Sequence, residues 1–143
     1  MASIEKPAGK KPAGYSGTPL VAKLGIKPGT RAQIVNPPAD FPETLGSMPE
    51  GVTLTPRGPL DFAMLFTTRK EDLAKRFPVL RDRLAAGGML WVAWPKQSSG
   101  VATELTESVV RAAGLEFGLV DVKVCAVDST WSGLKFVRRL SDR

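Results

Sequence analysis

Histidine is missing from all 143 residues, and that one gap excludes more chemistry than any other feature of the chain. Ser-His and Cys-His nucleophiles, an imidazole general base and nearly every zinc site rest on a group that titrates near neutrality or on imidazole ligands. No residue is therefore assigned a catalytic role, and no metal centre is expected. Cysteine occurs once, so Cys125 cannot form an internal disulfide, and its place inside an expected strand reads as a buried, inert thiol. No apolar run approaches the roughly 18 residues of a membrane span. The first residues also lack the apolar stretch of a signal peptide, and the expected location is the cytoplasm, away from membranes.

What is present suits a globular domain. Hydrophobic residues make up 43% of the chain, an ordinary share for a packed core. Residues 1–14, MASIEKPAGKKPAG, have almost nothing to bury and predict a disordered basic tail ahead of a single α/β domain over 15–143. Three lysines (Lys6, Lys10, Lys11) less one glutamate (Glu5) put +2 of the net +6 in that tail. The remaining Lys and Arg are dispersed through the sequence rather than gathered with aromatics, so nucleic acid is not the expected partner.

The architecture centres on residues 60–96. Residues 60–66, LDFAMLF, are nearly all apolar, as in a strand buried on both faces. Thr68-Arg69-Lys70-Glu71 predicts a capping box that starts a helix. Leu73, Phe77, Leu80 and Leu84 then form its apolar stripe. Pro78 predicts a kink or break, and Gly87-Gly88 a left-handed helix end. Met89 to Trp94 is the next buried strand, giving a right-handed βαβ unit.

Around that unit the expected elements are a short helix at 19–24 ended by Gly25, a strand at 31–35, a brief helix at 41–48 and an edge strand at 52–55. A helix is expected over 103–113, with Leu105, Val109 and Ala112 inward and Gly114 as its stop. Two strands, 119–127 and 134–139, form a terminal hairpin with a long loop at 128–133. A doubly wound sheet of this kind binds ligands outside the carboxyl ends of its strands. The loops at that edge supply the candidate site. Asn36 ends the first strand; Lys96 offers a point charge for an anion, with Ser98, Ser99 and the following helix N-terminus as donors. Asp128 offers an acceptor, unless it bonds its own turn. Trp131 on the hairpin loop either stacks on a flat ligand or folds back over the sheet.

DFAMLF, LAAGGMLWVAWPK and VDVKVCAV…WSGLKFVRR together resemble the second half of a class I S-adenosylmethionine-dependent methyltransferase. More specifically, YSGTPLVAKLGIKPG, WVAWPKQSSGVATELTE and GLVDVKVCAVDSTWSGLKFVRR resemble an uncharacterised family of short bacterial proteins, over residues 15–140. The methyltransferase resemblance implies a Rossmann-like, mostly parallel sheet of about six strands in the order 2-1-3-4-6-5, its last strand antiparallel. It also implies a glycine-rich turn after the first strand and an acid ending the second. Here those positions read Asn36-Pro37-Pro38 and Thr55-Pro56-Arg57. The chain also runs from its second strand straight into the central one, like a truncated member of the class.

The expectation is thus a non-catalytic, methyltransferase-like module that binds a small anionic ligand or a protein partner through Asn36, Lys96, Ser98, Ser99, Asp128 and Trp131, without a cofactor. One alternative is a diverged S-adenosylmethionine-dependent methyltransferase, or another small transferase using Lys96 with Asp128. Another is a nucleic-acid accessory protein relying on the tail. A homo-oligomer is compatible with the exposed edge of the second strand.

Overall fold

The computed structural model describes residues 18–143, so the expected tail lies outside the described residues. Six strands form one mixed sheet, β1 (Arg31–Val35), β2 (Thr53–Leu54), β3 (Leu60–Phe66), β4 (Leu84–Pro95), β5 (Leu119–Ala126) and β6 (Trp131–Arg138), in the order 2-1-3-4-6-5. β1 to β4 run parallel, and β6 is antiparallel to both β4 and β5. Order and direction are those implied by the resemblance. Helices α1 (Leu20–Leu24) and α2 (Phe41–Leu45) cover one face, and α3 (Lys70–Arg83) and α4 (Glu107–Glu116) the other.

Each face has its own core because β3 and β4 alternate between them. Leu60, Leu65, Leu90 and Val92 join Leu73, Phe77 and Leu80 of α3, while Phe62, Met64, Phe66 and Trp91 join Leu20 and Leu24 of α1 and Phe41 of α2. At roughly 1.5–3 kcal/mol per fully buried large side chain, this two-sided burial is the main force holding the sheet. The indole N–H of buried Trp91 donates to the Leu24 carbonyl at 2.9 Å, at the end of α1. Its polar atom is thereby satisfied within an apolar layer.

Several local expectations are overturned, most of them by a contact from a distant part of the chain. Thr68 does not cap α3. The N-cap is Arg69, whose side chain makes no capping bond, and the Lys70 N–H instead donates to the Glu104 carboxylate at 2.8 Å. Pro78 lies inside a helix that runs unbroken to Arg83. Gly87-Gly88 does not end it; the helix stops at Arg83 because Leu84 already pairs with Leu60, and the Arg138 guanidinium takes the Arg81 and Leu84 carbonyls at 2.8 and 2.9 Å. Residues 85–88 form an irregularity in β4. There a Cβ on Gly88 would lie 2.6 Å from the Leu60 carbonyl oxygen, so close backbone approach, not left-handed geometry, requires that glycine.

α4 begins at Glu107, later than expected, because Thr106 caps it by accepting from the Val109 N–H at 3.2 Å. Thr103 is used elsewhere: its hydroxyl donates to the Thr68 carbonyl at 3.0 Å. Ala112 is exposed, while Val110 and Gly114 face inward. Gly114 is therefore a packing residue inside the helix, and Gly118, at φ +88°, provides the left-handed turn after it. Trp131, Ser132 and Gly133 belong to β6, so the hairpin loop is shorter than expected. Among the described residues, no helix is long and apolar enough to cross a membrane.

Candidate functional site

Asn36, Thr67, Lys96 and Asp128 all follow strands that end at one edge of the sheet, and the antiparallel β6 starts there with Trp131. Between the ends of β1 and β3 lies an open cleft of about 380 Å³, lined by Asn36, Phe66, Thr67, Thr68, Arg69, Asp72 and Trp131. Its walls are aromatic. Trp131 is half-buried, lies opposite Pro95 and meets Phe66 edge-on with ring centroids 5.2 Å apart; Phe66 meets Phe41 in the same way at 4.9 Å. This is the folded-back placement of Trp131, held by two edge-to-face contacts.

The polar side of the cleft comes from the β3–α3 connection. The Thr68 carbonyl accepts from the Glu104 N–H at 2.9 Å as well as from the Thr103 hydroxyl, which ties that loop to the segment before α4. Arg69, the N-cap residue, and Asp72, on the first turn of α3, follow. The Arg69 guanidinium reaches Glu71 at 3.1 Å in an exposed pair that water screens. Desolvation pushes the Asp72 carboxyl up, but hydrogen bonds from Thr67 and Arg76, with the charges of Arg76 and Lys75, outweigh it and hold the group below the usual carboxylate range. Asp72 is an anion at neutral pH. Asn36 takes φ +58°, the only left-handed residue other than glycine among those described, and turns the chain sharply at the cleft.

The six expected site residues do not converge. Asn36 and Trp131 share the cleft; Lys96, Ser98, Ser99 and Asp128 do not line it. Gln97–Ser99 is a short 3-10 turn in which the Ser99 hydroxyl donates to the Lys96 carbonyl at 2.6 Å and accepts from the Val101 N–H at 3.1 Å. Ser98 is exposed, and α4 starts too late for its N-terminus to join these serines. Asp128 is buried and its Oδ1 accepts from the Thr130 and Trp131 N–H groups, both at 2.8 Å, so its carboxylate is spent on its own turn. Sequence reasoning missed Arg69 and Asp72. The available signal was the Thr67-Thr68 loop at the end of a buried strand, which makes the first turn of the next helix part of the edge.

Sheet order, layering and an edge cleft define the class: an α/β protein with a class I methyltransferase-like fold. The chain is similar to a methyltransferase of Aquifex aeolicus described as SAM-dependent, at 15% identity over 82% of this chain and 86% of that one, with a TM-score of 0.57. A TehB-like SAM-dependent methyltransferase from Corynebacterium glutamicum gives 7% identity, 84% and 85% coverage and a TM-score of 0.56. Magnesium protoporphyrin IX methyltransferase from Synechocystis, in a structure with bound SAH, gives 11%, 84% and 78%, and 0.54. No protein-family model and no curated protein matches the chain, so the narrower likeness to the short bacterial proteins rests on the quoted segments alone.

At the positions where that class holds its cofactor, the residues depart from its pattern. Pro37 and Pro38 offer no N–H where the glycine-rich turn would, and Asn36 carries a side chain where bare backbone must approach. No carboxylate follows β2. Thr55 stands there instead, its hydroxyl bonded to the Arg57 backbone at 2.9 and 3.2 Å. Beside it, between β1, β2 and α2, a separate cavity of about 490 Å³ is lined largely by Ile34, Pro37, Phe41, Leu45, Met48 and Leu54.

Proposed function

We propose that this chain is a non-catalytic binding module on a methyltransferase-like fold, whose edge cleft takes a small ligand bearing an anionic group and a flat or apolar part. The observation that carries this reading is the composition of one cleft: Arg69, whose guanidinium is tied only to exposed Glu71, together with aromatic Phe66 and Trp131, and with Asn36 and Thr67 as neutral polar groups. A guanidinium offers a planar fork to carboxylate or phosphate. Asp72 adds an acceptor for a donor group on the same ligand. Without an imidazole, no cleft side chain is a ready proton shuttle near neutral pH, which favours binding over acid–base catalysis.

Thermal-shift measurements on the full chain test it, using inorganic phosphate, nucleotides, S-adenosylmethionine and S-adenosylhomocysteine. A ligand at about a hundred times its dissociation constant adds about 2.7 kcal/mol. The expected result is stabilisation by one of the phosphate-bearing probes, lost in Arg69→Ala and retained in Lys96→Ala. No stabilisation by phosphate or nucleotides, or an unchanged response in Arg69→Ala, would overturn the reading. The fold likeness favours a second reading, a diverged methyltransferase; stabilisation confined to the two adenosyl compounds would select it.

A further inference from the structure

Four lysines from two distant parts of the sequence meet on the face that carries α1. Lys123 of β5 stands directly opposite Lys135 of β6 in the strand register, and the Lys123 ammonium donates to the Lys23 carbonyl at 2.9 Å, near the end of α1. Lys27 follows in the next loop. Like charges directly opposite on paired strands are destabilising, a cost that the Lys123 bond to the end of α1 offsets only in part. Among the described residues, none of the four lysines takes part in an ion pair. Lys135 records the crowding: partial burial, then the charges of Lys123 and Lys27, push its ammonium pKa down. A cluster of this kind, with no acidic partner among the described residues, suits a partner that supplies closely spaced negative charge.

We infer that the Lys23, Lys27, Lys123 and Lys135 face binds the phosphate backbone of a nucleic-acid duplex, without reading its sequence. Phosphates repeated along a duplex match several point charges spread over two strands and a helix end, and lysine lacks the planar fork that reads guanine or carboxylate bidentately. α1 and α2 are only five residues each, so this face of β5 and β6 has a thin helical cover and the ammonium groups stay within reach of solvent. The face shares no side chain with the Arg69 cleft, and the inference does not depend on that site.

Fluorescence anisotropy of the full chain with a labelled random-sequence DNA duplex tests it. Four phosphate contacts predict a log–log salt slope of about −3.6, so affinity falls about 150-fold between roughly 50 and roughly 200 mM salt. In Lys123→Gln/Lys135→Gln the same step falls to about 12-fold. Lys75→Gln, on the opposite face, leaves the slope unchanged, and a duplex of different sequence binds equally. The inference is overturned if the double variant keeps the parent slope, if Lys6→Gln/Lys10→Gln/Lys11→Gln alone removes all binding, or if poly-glutamate binds this face and the duplex does not. Matching far-ultraviolet circular dichroism for the variants excludes loss of fold as the cause.

Discussion

Gly114→Ala tests the closest approach that an added Cβ would make at any of the described glycines. A Cβ at this position would fall 2.0 Å from Cε1, 2.5 Å from Cζ and 2.6 Å from Cδ1 of Phe136. The shortest of these is about 1.5 Å inside ordinary carbon–carbon contact. The ring cannot simply withdraw, because Phe136 is fully buried and meets Phe77 edge-on at 5.3 Å, while Phe77 in turn stacks on Phe117 at 5.6 Å. Two effects oppose each other. Alanine gains about 1 kcal/mol over glycine in a helix interior, whereas overpacking a buried site costs about 1–3 kcal/mol, and an overlap with three ring atoms belongs at or above the upper end. The overlap wins by about 2 kcal/mol, which at roughly 4 °C per kcal/mol lowers Tm by about 8 °C. Thermal and urea unfolding followed by circular dichroism measure it. Adding Phe136→Leu opens space for the new methyl, so the double variant should be more stable than the sum of the single changes by about 1 kcal/mol. A Gly114→Ala protein as stable as the parent would refute the reasoning.

The capping and the pH dependence are equally open to test. Glu104→Ala removes the carboxylate that accepts from the Lys70 N–H, and should cost about 1 kcal/mol in urea unfolding, as a lost cap does. Thr68→Ala, at the position where sequence expects the cap, should stay within about 0.5 kcal/mol; the reverse order would restore the capping box. Asp61 is held below the usual carboxylate range by the side-chain hydrogen bond from Arg31, reinforced by the Arg31 backbone N–H at 2.9 Å. A carboxyl depressed in the folded state stabilises above its unfolded value of about 3.9 and loses that contribution as pH falls through its lower folded value. Asp61→Asn should therefore be less stable than the parent at neutral pH, and the gap should close as pH falls below the carboxylate range. A gap independent of pH would remove the ion pair as its cause.

Sequence alone determined what local periodicity and composition can express. The buried runs at 60–66 and 89–94 read directly as strands, because a strand covered on both faces must be apolar throughout. The hairpin, the bounds of β1 and the αL stop at Gly25 were equally local. The absence of histidine excluded whole reaction classes without any coordinates. Strand order came through the family resemblance carried by the quoted segments.

Tertiary structure decided everything that depends on groups far apart in the chain. It passed the α3 cap to Glu104, stopped that helix with Arg138 and Leu84, and gave Gly88 and Gly114 packing roles that a sequence reads as helix stops. It spent the Asp128 carboxylate on two backbone N–H groups and left Lys96 outside the cleft, while bringing Arg69 and Asp72 beside Asn36 and Trp131. It also gathered lysines that look dispersed in sequence onto one face, Lys123 opposite Lys135 and against α1. The physical reason is common to all of these: propensity and patterning act over a few residues, whereas caps, clefts and charge clusters are formed by whichever side chains the strand order happens to bring within a few ångströms.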